Sequence, residues 1–138
     1  MTTQLAGYAE HINQAWNSHD VERVVRFYSP EYIGDDIGLS SPLRGRDGIR
    51  TKLHEYWTAF PDLRFEVIST LVDGNRLVIV WSGEGTHQGT IMRIPPTWHK
   101  VQVRGVSILD VQDGMVVHGQ HIWDVAGMLR HMGLLPEL

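Results

Sequence analysis

Helical spacing of apolar residues dominates the first part of the chain. Apolar side chains recur every three or four residues there, which is typical of amphipathic helices packed on one face. Polar residues and prolines interrupt this pattern, and several of these polar side chains can cap a following helix. The pattern predicts three helices and one short strand: a helix at 3–17, a helix at 21–28, a strand from Tyr32 to Asp36, and a helix from Asp47 to Phe60.

Alternation of apolar and polar residues replaces the helical spacing after Leu63. A period of two is typical of strands with one buried face. Asp-Gly pairs at 73–74 and 113–114 are tight-turn signals that join neighbouring strands into hairpins. The pattern predicts four strands and a last helix: strands at 65–71, 77–87, 101–111 and 115–123, and a helix at 125–132 ended by Gly133.

This order of elements indicates an α+β fold rather than an alternating α/β fold. We expect a curved, mostly antiparallel sheet packed on one face by the N-terminal helices, with a short C-terminal helix. Such a sheet encloses a cone, and its mouth is the natural position for a ligand pocket. The length of 138 residues predicts a single domain over residues 1–138.

Composition and charge narrow the range of functions. The formal net charge is −4 and there is no basic run, which argues against nucleic-acid binding. No apolar segment reaches the roughly 18–20 residues that cross a bilayer, so we expect no membrane insertion. The chain contains no cysteine, which excludes disulfides, thiolate catalysis and cysteine-based metal sites. Its N-terminus is polar and lacks a signal-peptide core, so we expect a cytoplasmic protein.

Asp124 is the first candidate for catalysis, because it lies between the last predicted strand and the last predicted helix among apolar neighbours. Burial would raise the pKa of its carboxyl group and make it a usable general base or acid near neutral pH. The alternative is that Asp124 only caps the last helix. His87 follows Trp81 by six residues, so an unbulged strand places both on one face. His87 is the second polar candidate, or else a strand-end histidine bonded to a loop backbone.

Further candidates could line the pocket. His118 and Gln120 alternate with Asp124 along the same strand and could donate to a substrate oxygen, unless that polar face is turned to solvent. His118 and His121 are three residues apart, so they point to opposite faces of a strand and do not suggest a metal site. The remaining candidates are wall residues of the pocket. Tyr32 and Asp36 lie on the predicted first strand, and Asp36 could instead cap a turn. The apolar candidates are Trp57, Phe60, Trp81, Met92 and Trp98, of which Trp98 could act as a lid.

Short motifs spread over nearly the whole chain resemble the SnoaL-like polyketide cyclases, one branch of the cone-shaped NTF2-like and ketosteroid isomerase fold. Met132 departs from the pattern, because many members have Gln before the final Gly-Leu. The matching motifs are Trp16-Asn17-x-x-Asp20, Ala59-Phe60-Pro61-Asp62-Leu63, Trp81 with Gly85-Thr86-His87-x-Gly89, Ile94-Pro95-Pro96-Thr97, Asp113-Gly114, and Trp123-Asp124 with Leu129-x-x-Met132-Gly133-Leu134.

The resemblance implies a cofactor-free and metal-free enzyme that closes a ring by intramolecular aldol condensation or isomerises its substrate. The strand-end acid of the family maps onto Asp124, and the implied substrate is a small apolar or aromatic carbonyl compound. Relatives pair through the outer sheet face, so a homodimer is expected. Two alternatives stay open: an epoxide hydrolase on the same fold, and a non-catalytic protein that binds a small ligand.

Overall fold

The computed structural model describes residues 2–37 and 41–138, which form four helices and a six-stranded sheet. The predicted α+β class is confirmed. Gly38, part of the predicted loop, lies outside the described residues. The elements in chain order are α1 (Thr2–Asn17), α2 (Val21–Val25), β1 (Tyr28–Asp36), β2 (Leu43–Arg44), α3 (Gly45–Ala59), β3 (Arg64–Asp73), β4 (Arg76–Thr86), β5 (Lys100–Gln112), β6 (Met115–Trp123) and α4 (Val125–His131).

The strand order in the sheet is β2-β1-β6-β5-β4-β3. β3 to β6 form the predicted antiparallel meander, and the turns at Gly74 and Gly114 both have positive φ angles. β1 pairs in parallel with β6, although the two strands are far apart in the chain. This pairing places Asp36, at the end of β1, beside His121 of β6.

Helices α1 and α3 pack against one face of the sheet and bury their apolar sides in the main core. Asp20 caps α2 by accepting a hydrogen bond from the backbone N–H of Arg23, as its position in the polar break predicts. Asn17 ties the end of α1 to β3, because its side-chain amide exchanges two hydrogen bonds with the backbone of Phe65. Among the described helices, none has the length and apolar character needed to span a bilayer.

The second helix is shorter than its apolar spacing predicts. It ends at Val25, and Tyr28 already belongs to β1, where it pairs with Val116 of β6. The backbone N–H of Val116 also donates to the carbonyl oxygen of Phe27 at 2.8 Å. Pairing with a distant strand therefore competes with the helix and ends it early, which local spacing cannot reveal.

The third helix begins at Gly45, two residues before the predicted cap Asp47. Gly45, the first residue of the helix, has a φ of +65°, so the chain turns there rather than at Asp47. The residue before it, Arg44, makes no side-chain capping bond. It belongs instead to β2, a two-residue strand that the sequence pattern predicts as loop.

Candidate functional site

A cavity of about 180 Å³ lies between the concave face of the sheet and helices α1 and α3. Most of its lining is aliphatic or aromatic, which suits a flat apolar ligand. An engineered apolar cavity of roughly 150 Å³ admits benzene, so a ligand with at least one aromatic ring fits. The polar and charged members of the lining are Asn13, Tyr28, Tyr32, Asp36, Lys52, Tyr56, Glu84, Ser107 and His121.

A one-residue register shift in β6 decides which of its side chains face this cavity. The pairing with β5 skips Val117, which makes this residue a β-bulge. Beyond the bulge, His121 and Trp123 line the cavity, whereas His118 and Gln120 lie on the outer face. The prediction that His118 and Gln120 point into the pocket is wrong. His118 instead contacts two aspartates on the outside, and no group of three potential metal ligands occurs among the residues that the structure describes.

Asp124 caps α4 and is exposed to solvent, outside the cavity. Its Oδ1 atom accepts a hydrogen bond from the backbone N–H of Gly127 at 2.8 Å. Its neighbours in a surface depression include Arg104 and Arg130. The expectation that Asp124 is buried in an apolar hollow is therefore wrong, and helix capping describes its position. Because side chains alternate along β6, the strand that turns Trp123 inwards turns the next residue outwards.

A chain of four hydrogen-bonded side chains crosses the cavity wall. The indole N–H of Trp81 donates to Ser107 Oγ at 3.0 Å, and Ser107 Oγ lies 2.7 Å from His121 Nδ1. His121 Nε2 lies 3.1 Å from the hydroxyl of Tyr32. Both contacts of His121 fit either neutral tautomer of its ring. In the tautomer with the proton on Nε2, Nδ1 accepts from the Ser107 hydroxyl and Nε2 donates to the Tyr32 oxygen, which leaves the Tyr32 O–H as a donor to the cavity.

Paired glycines make room for the Tyr32 hydroxyl. Gly34 and Gly119 are partners across β1 and β6, and a Cβ atom at either position would overlap the Tyr32 side chain. The phenol therefore lies across both glycines and reaches His121 on the next strand. Gly105 makes room for Trp81 in the same way. The indole lies over Gly105, and its N–H donates to Ser107. The absence of side chains at these positions holds the cavity open and determines where the aromatic rings lie.

Asp36 supplies a carboxylate next to this chain. Both of its oxygens lie 3.0 Å from the indole Nε1 of Trp123, which donates to them. Asp36 is half-buried, lines the cavity and makes a further interaction besides the one with Trp123. Asp36 is the register partner of His121 on the neighbouring strand, and it lies on the same strand as Tyr32, the last member of the hydrogen-bonded series.

The surroundings keep the ring groups of this site in their neutral forms. Burial lowers the pKa of His121, although the charges of Asp36 and Asp35 oppose the effect, so the imidazole stays neutral near pH 7. Burial also raises the pKa of the Tyr32 phenol above its usual range, and the neighbouring Tyr28 and the two aspartates add to the shift. Tyr56 behaves in the same way, because burial and the charge of Asp36 both raise its pKa. The phenols of Tyr32 and Tyr56 are therefore hydrogen-bond donors at neutral pH.

His87 is fully buried but lies outside the cavity. Its Nδ1 atom accepts from the backbone N–H of Thr97 at 3.1 Å and lies 2.9 Å from the Thr97 hydroxyl. The prediction of a polar pocket residue is wrong, and the alternative of a strand-end histidine bonded to a loop backbone is correct. Burial lowers the pKa of this imidazole, so His87 fastens the loop in its neutral form.

The predicted apolar walls divide into two groups. Trp81 and Phe60 line the cavity, as do Tyr32 and Asp36. The other three aromatic or sulfur-containing side chains are outside the lining: Trp57 stacks on His19 with ring centroids 4.7 Å apart, Met92 is exposed, and Trp98 is 67% exposed. Trp98 is not among the described residues that line the cavity, so the structure gives no support to its expected role as a lid.

Several residues of the site are not predicted by the sequence pattern. His121 is raised only as a possible metal ligand, and Trp123, Tyr56 and Lys52 are not among the candidates. A signal existed for the last two, because positions 49, 52 and 56 fall on one side of a helix and therefore face the sheet together. No comparable signal existed for His121, since its direction depends on the bulge in β6.

Comparisons with known proteins agree with this fold. AclR, a proposed hydroxylase from Streptomyces galilaeus, is 25% identical with a TM-score of 0.87, over 100% of this chain and 86% of AclR. IdmH, a proposed polyketide cyclase from Streptomyces antibioticus, is 23% identical with a TM-score of 0.81, over 94% of this chain and 99% of IdmH. A Catenulispora acidiphila protein with a ketosteroid isomerase-like fold is 12% identical with a TM-score of 0.79, over 93% of both chains.

The sequence itself gives the family. No curated protein matches significantly. The profile of the SnoaL-like polyketide cyclases, however, matches residues 7–132, which is nearly the whole chain and includes every element that builds the cavity except the first turn of α1. The resemblance of the short motifs is thus confirmed, and the chain belongs to the SnoaL-like polyketide cyclase family.

Proposed function

We propose that this protein is a cofactor-independent acid/base enzyme that closes a ring by an aldol-type reaction, or isomerises a small carbonyl compound, with Asp36 as the general base. The observation that carries the proposal is that Asp36 and Tyr32 both line the same mostly apolar cavity. A carboxylate and a preset hydrogen-bond donor are the two groups that enolate chemistry requires. Membership of the SnoaL-like family supports the same reaction class.

The proposed reaction begins when the Asp36 carboxylate removes a proton from the carbon next to a carbonyl group. The electron pair of that C–H bond moves to the carbonyl oxygen, and the Tyr32 O–H donates a hydrogen bond to the resulting enolate. The enolate carbon then attacks a second carbonyl carbon of the same molecule, which forms a C–C bond and an alkoxide. The alkoxide takes the proton from the Asp36 carboxyl group, so the enzyme returns to its starting state.

His121 acts in this scheme as a positioning residue. The scheme uses the tautomer in which the neutral ring donates from Nε2 to the Tyr32 oxygen and accepts at Nδ1 from the Ser107 hydroxyl. A hydrogen bond received by the phenol oxygen makes its own O–H a stronger donor, because hydrogen bonds in a chain polarise one another. The indole of Trp123 holds the Asp36 carboxylate in place from the other side.

Asp36 replaces Asp124 as the proposed acid/base residue. An exposed helix cap has no access to a ligand in the cavity. Asp36 has both the position and the hydrogen-bonded support. The strand-end location that the family resemblance implies for the acid is kept, but on β1 instead of β6.

The experiment that tests the proposal measures proton abstraction directly. We would follow deuterium incorporation next to the carbonyl of 2-tetralone in D2O by NMR, with and without the protein. We expect the Asp36→Asn variant to lose about 100-fold or more of the enzyme-dependent rate, and Tyr32→Phe to lose roughly 10- to 1,000-fold. Asp124→Asn is the matched control and should keep the rate of the unchanged protein.

The same measurement separates catalysis from plain ligand binding. If 2-tetralone binds but exchanges no faster than in buffer, the proposal fails and the non-catalytic binding protein becomes the better description. An enzyme-dependent rate that survives in both Asp36→Asn and Tyr32→Phe would also refute the site assignment.

We also propose that the protein forms a homodimer through the outer face of the sheet. Two outward-facing isoleucines there, Ile33 and Ile122, are 38% and 44% exposed, and a second copy would cover them. Light scattering at micromolar concentration tests this, and a monomer contradicts it. A cytoplasmic location remains a proposal as well, since a chain without cysteine needs no oxidising compartment to fold.

A further inference from the structure

Lys52 is a nearly buried lysine whose side chain belongs to the lining of the cavity. It lies on α3, one turn before Tyr56, and both side chains belong to the lining. Only 12% of the Lys52 side chain is exposed. An ammonium group taken out of water is unfavourable unless charged or polar partners compensate for the lost hydration.

The partners of Lys52 compensate for this loss only in part. Its Nζ atom lies 3.2 Å from Oε2 of Glu55, but that carboxylate is 52% exposed and its attraction is weakened by water. Nζ also lies 5.3 Å from the centre of the Tyr56 ring, which faces the same cavity. An ammonium group has three N–H donors, and the Glu55 contact uses one of them.

We infer that Lys52 binds an ionised acid group of the substrate, so that the substrate is a small aromatic carbonyl compound carrying a carboxylate. The apolar walls accommodate the aromatic rings. The two N–H groups of the ammonium that the Glu55 contact does not use donate hydrogen bonds to the carboxylate oxygens. This inference rests on the proposed function only in that the substrate occupies the cavity. It requires nothing of Asp36 or Tyr32 as catalysts.

The experiment compares two ligands of the same shape and different charge, 2-naphthoate and 2-naphthamide, by isothermal titration calorimetry at pH 7.5. We expect the unchanged protein to bind the naphthoate about tenfold or more tightly than the amide. In Lys52→Met, which keeps the apolar stem, the naphthoate should lose that advantage while the affinity for the amide stays within about twofold. Lys52→Arg should retain the preference.

Two further variants separate ligand binding from a structural role. Glu55→Gln removes the competing carboxylate, so it should tighten naphthoate binding, whereas a purely structural ion pair would make Glu55→Gln and Lys52→Met equally harmful. Lys100→Met is the matched control, because Lys100 is the other lysine of the chain and is exposed at the start of β5. Equal affinity of the unchanged protein for both ligands, or equal weakening of both in Lys52→Met, would overturn the inference.

A spectroscopic measurement covers the case in which Lys52→Met does not fold. With two lysines in the chain, protein labelled with ¹³C at the lysine ε-carbon gives two side-chain signals. The Lys52 signal should shift on addition of 2-naphthoate and not of 2-naphthamide, while the Lys100 signal stays unchanged. If the Lys52 signal responds to neither ligand, or to both alike, the inference is refuted.

The outcome is independent of the proposed catalysis. If Asp36→Asn keeps the full exchange rate of 2-tetralone while Lys52→Met loses the naphthoate preference, the catalytic proposal fails and the inference on the substrate stands. The opposite pattern, lost exchange and no charge preference, would refute the inference alone.

Discussion

Replacement of Asp124 tests whether the acid at the end of β6 is structural or catalytic. Within the described residues its side chain accepts one hydrogen bond, at 2.8 Å from the backbone N–H of Gly127 in the first turn of α4. Loss of an N-cap of this kind lowers the free energy of unfolding by about 1 kcal/mol. Asparagine caps a helix about as well as aspartate, so Asp124→Asn should be close to neutral while Asp124→Ala shows the loss.

The expected change in melting temperature follows from the chain length. With an unfolding entropy of about 2.1 cal/mol/K per residue, a chain of 138 residues has about 0.29 kcal/mol/K. A loss of 1 kcal/mol at Asp124→Ala therefore lowers Tm by about 3 °C, which differential scanning calorimetry resolves. The exchange rate per folded molecule should stay unchanged in both variants. A 100-fold loss of rate in Asp124→Asn at constant Tm would refute this reasoning and restore Asp124 as the acid/base residue.

Three further predictions concern the buried groups. His87 and His121 are held neutral by burial, which lowers the pKa of each imidazole below that of the unfolded chain, so the unfolded state binds the extra protons. The free energy of unfolding should therefore fall as the pH drops below about 6.5. Each histidine contributes about 1.4 kcal/mol per pH unit until its pKa in the folded state is reached. Urea titrations at pH 7.5, 6 and 5 measure this change, and a free energy of unfolding that does not depend on pH contradicts it. Gly119→Ala should push the Tyr32 hydroxyl off its bond and reduce the 2-tetralone exchange rate at least tenfold, with an unchanged rate as the opposing result. Leu53→Ala, in the fully buried core of α3, should lower the free energy of unfolding by about 2–5 kcal/mol in urea titration, and a loss below 1 kcal/mol would contradict its central packing.

The sequence predicts the order and type of most elements because the signals that define them are local. Periods of two and of three to four residues, turn-forming Asp-Gly pairs and the capping aspartate at position 20 each act within a few residues. The predicted element bounds are wrong where pairing with a distant strand overrides the local pattern. Tyr28 continues the helical spacing of α2, but its pairing with Val116 of β6 draws it into the sheet.

The candidate site was predictable in part for the same reason. Tyr32 and Asp36 line the cavity as expected, since residues four apart on one strand point to the same face of the sheet. Asp124 is surrounded by apolar residues along the chain, but neighbours along a strand point in opposite directions. Its apolar neighbour Ile122 shares the outer face with it and is 44% exposed, so the apolar sequence context does not imply a dry environment.

By itself, then, the sequence determined the α+β class, the element order and the presence of a cavity lined by aromatic side chains, because these follow from local periodicity and composition. Only the tertiary structure decided which polar groups face that hollow. The unpaired Val117 reverses the direction of every later side chain of β6, and a bulge exists only through pairing with another strand. Tyr32 and His121, 89 residues apart, meet because β1 joins the sheet in parallel beside β6, a contact that no local pattern encodes.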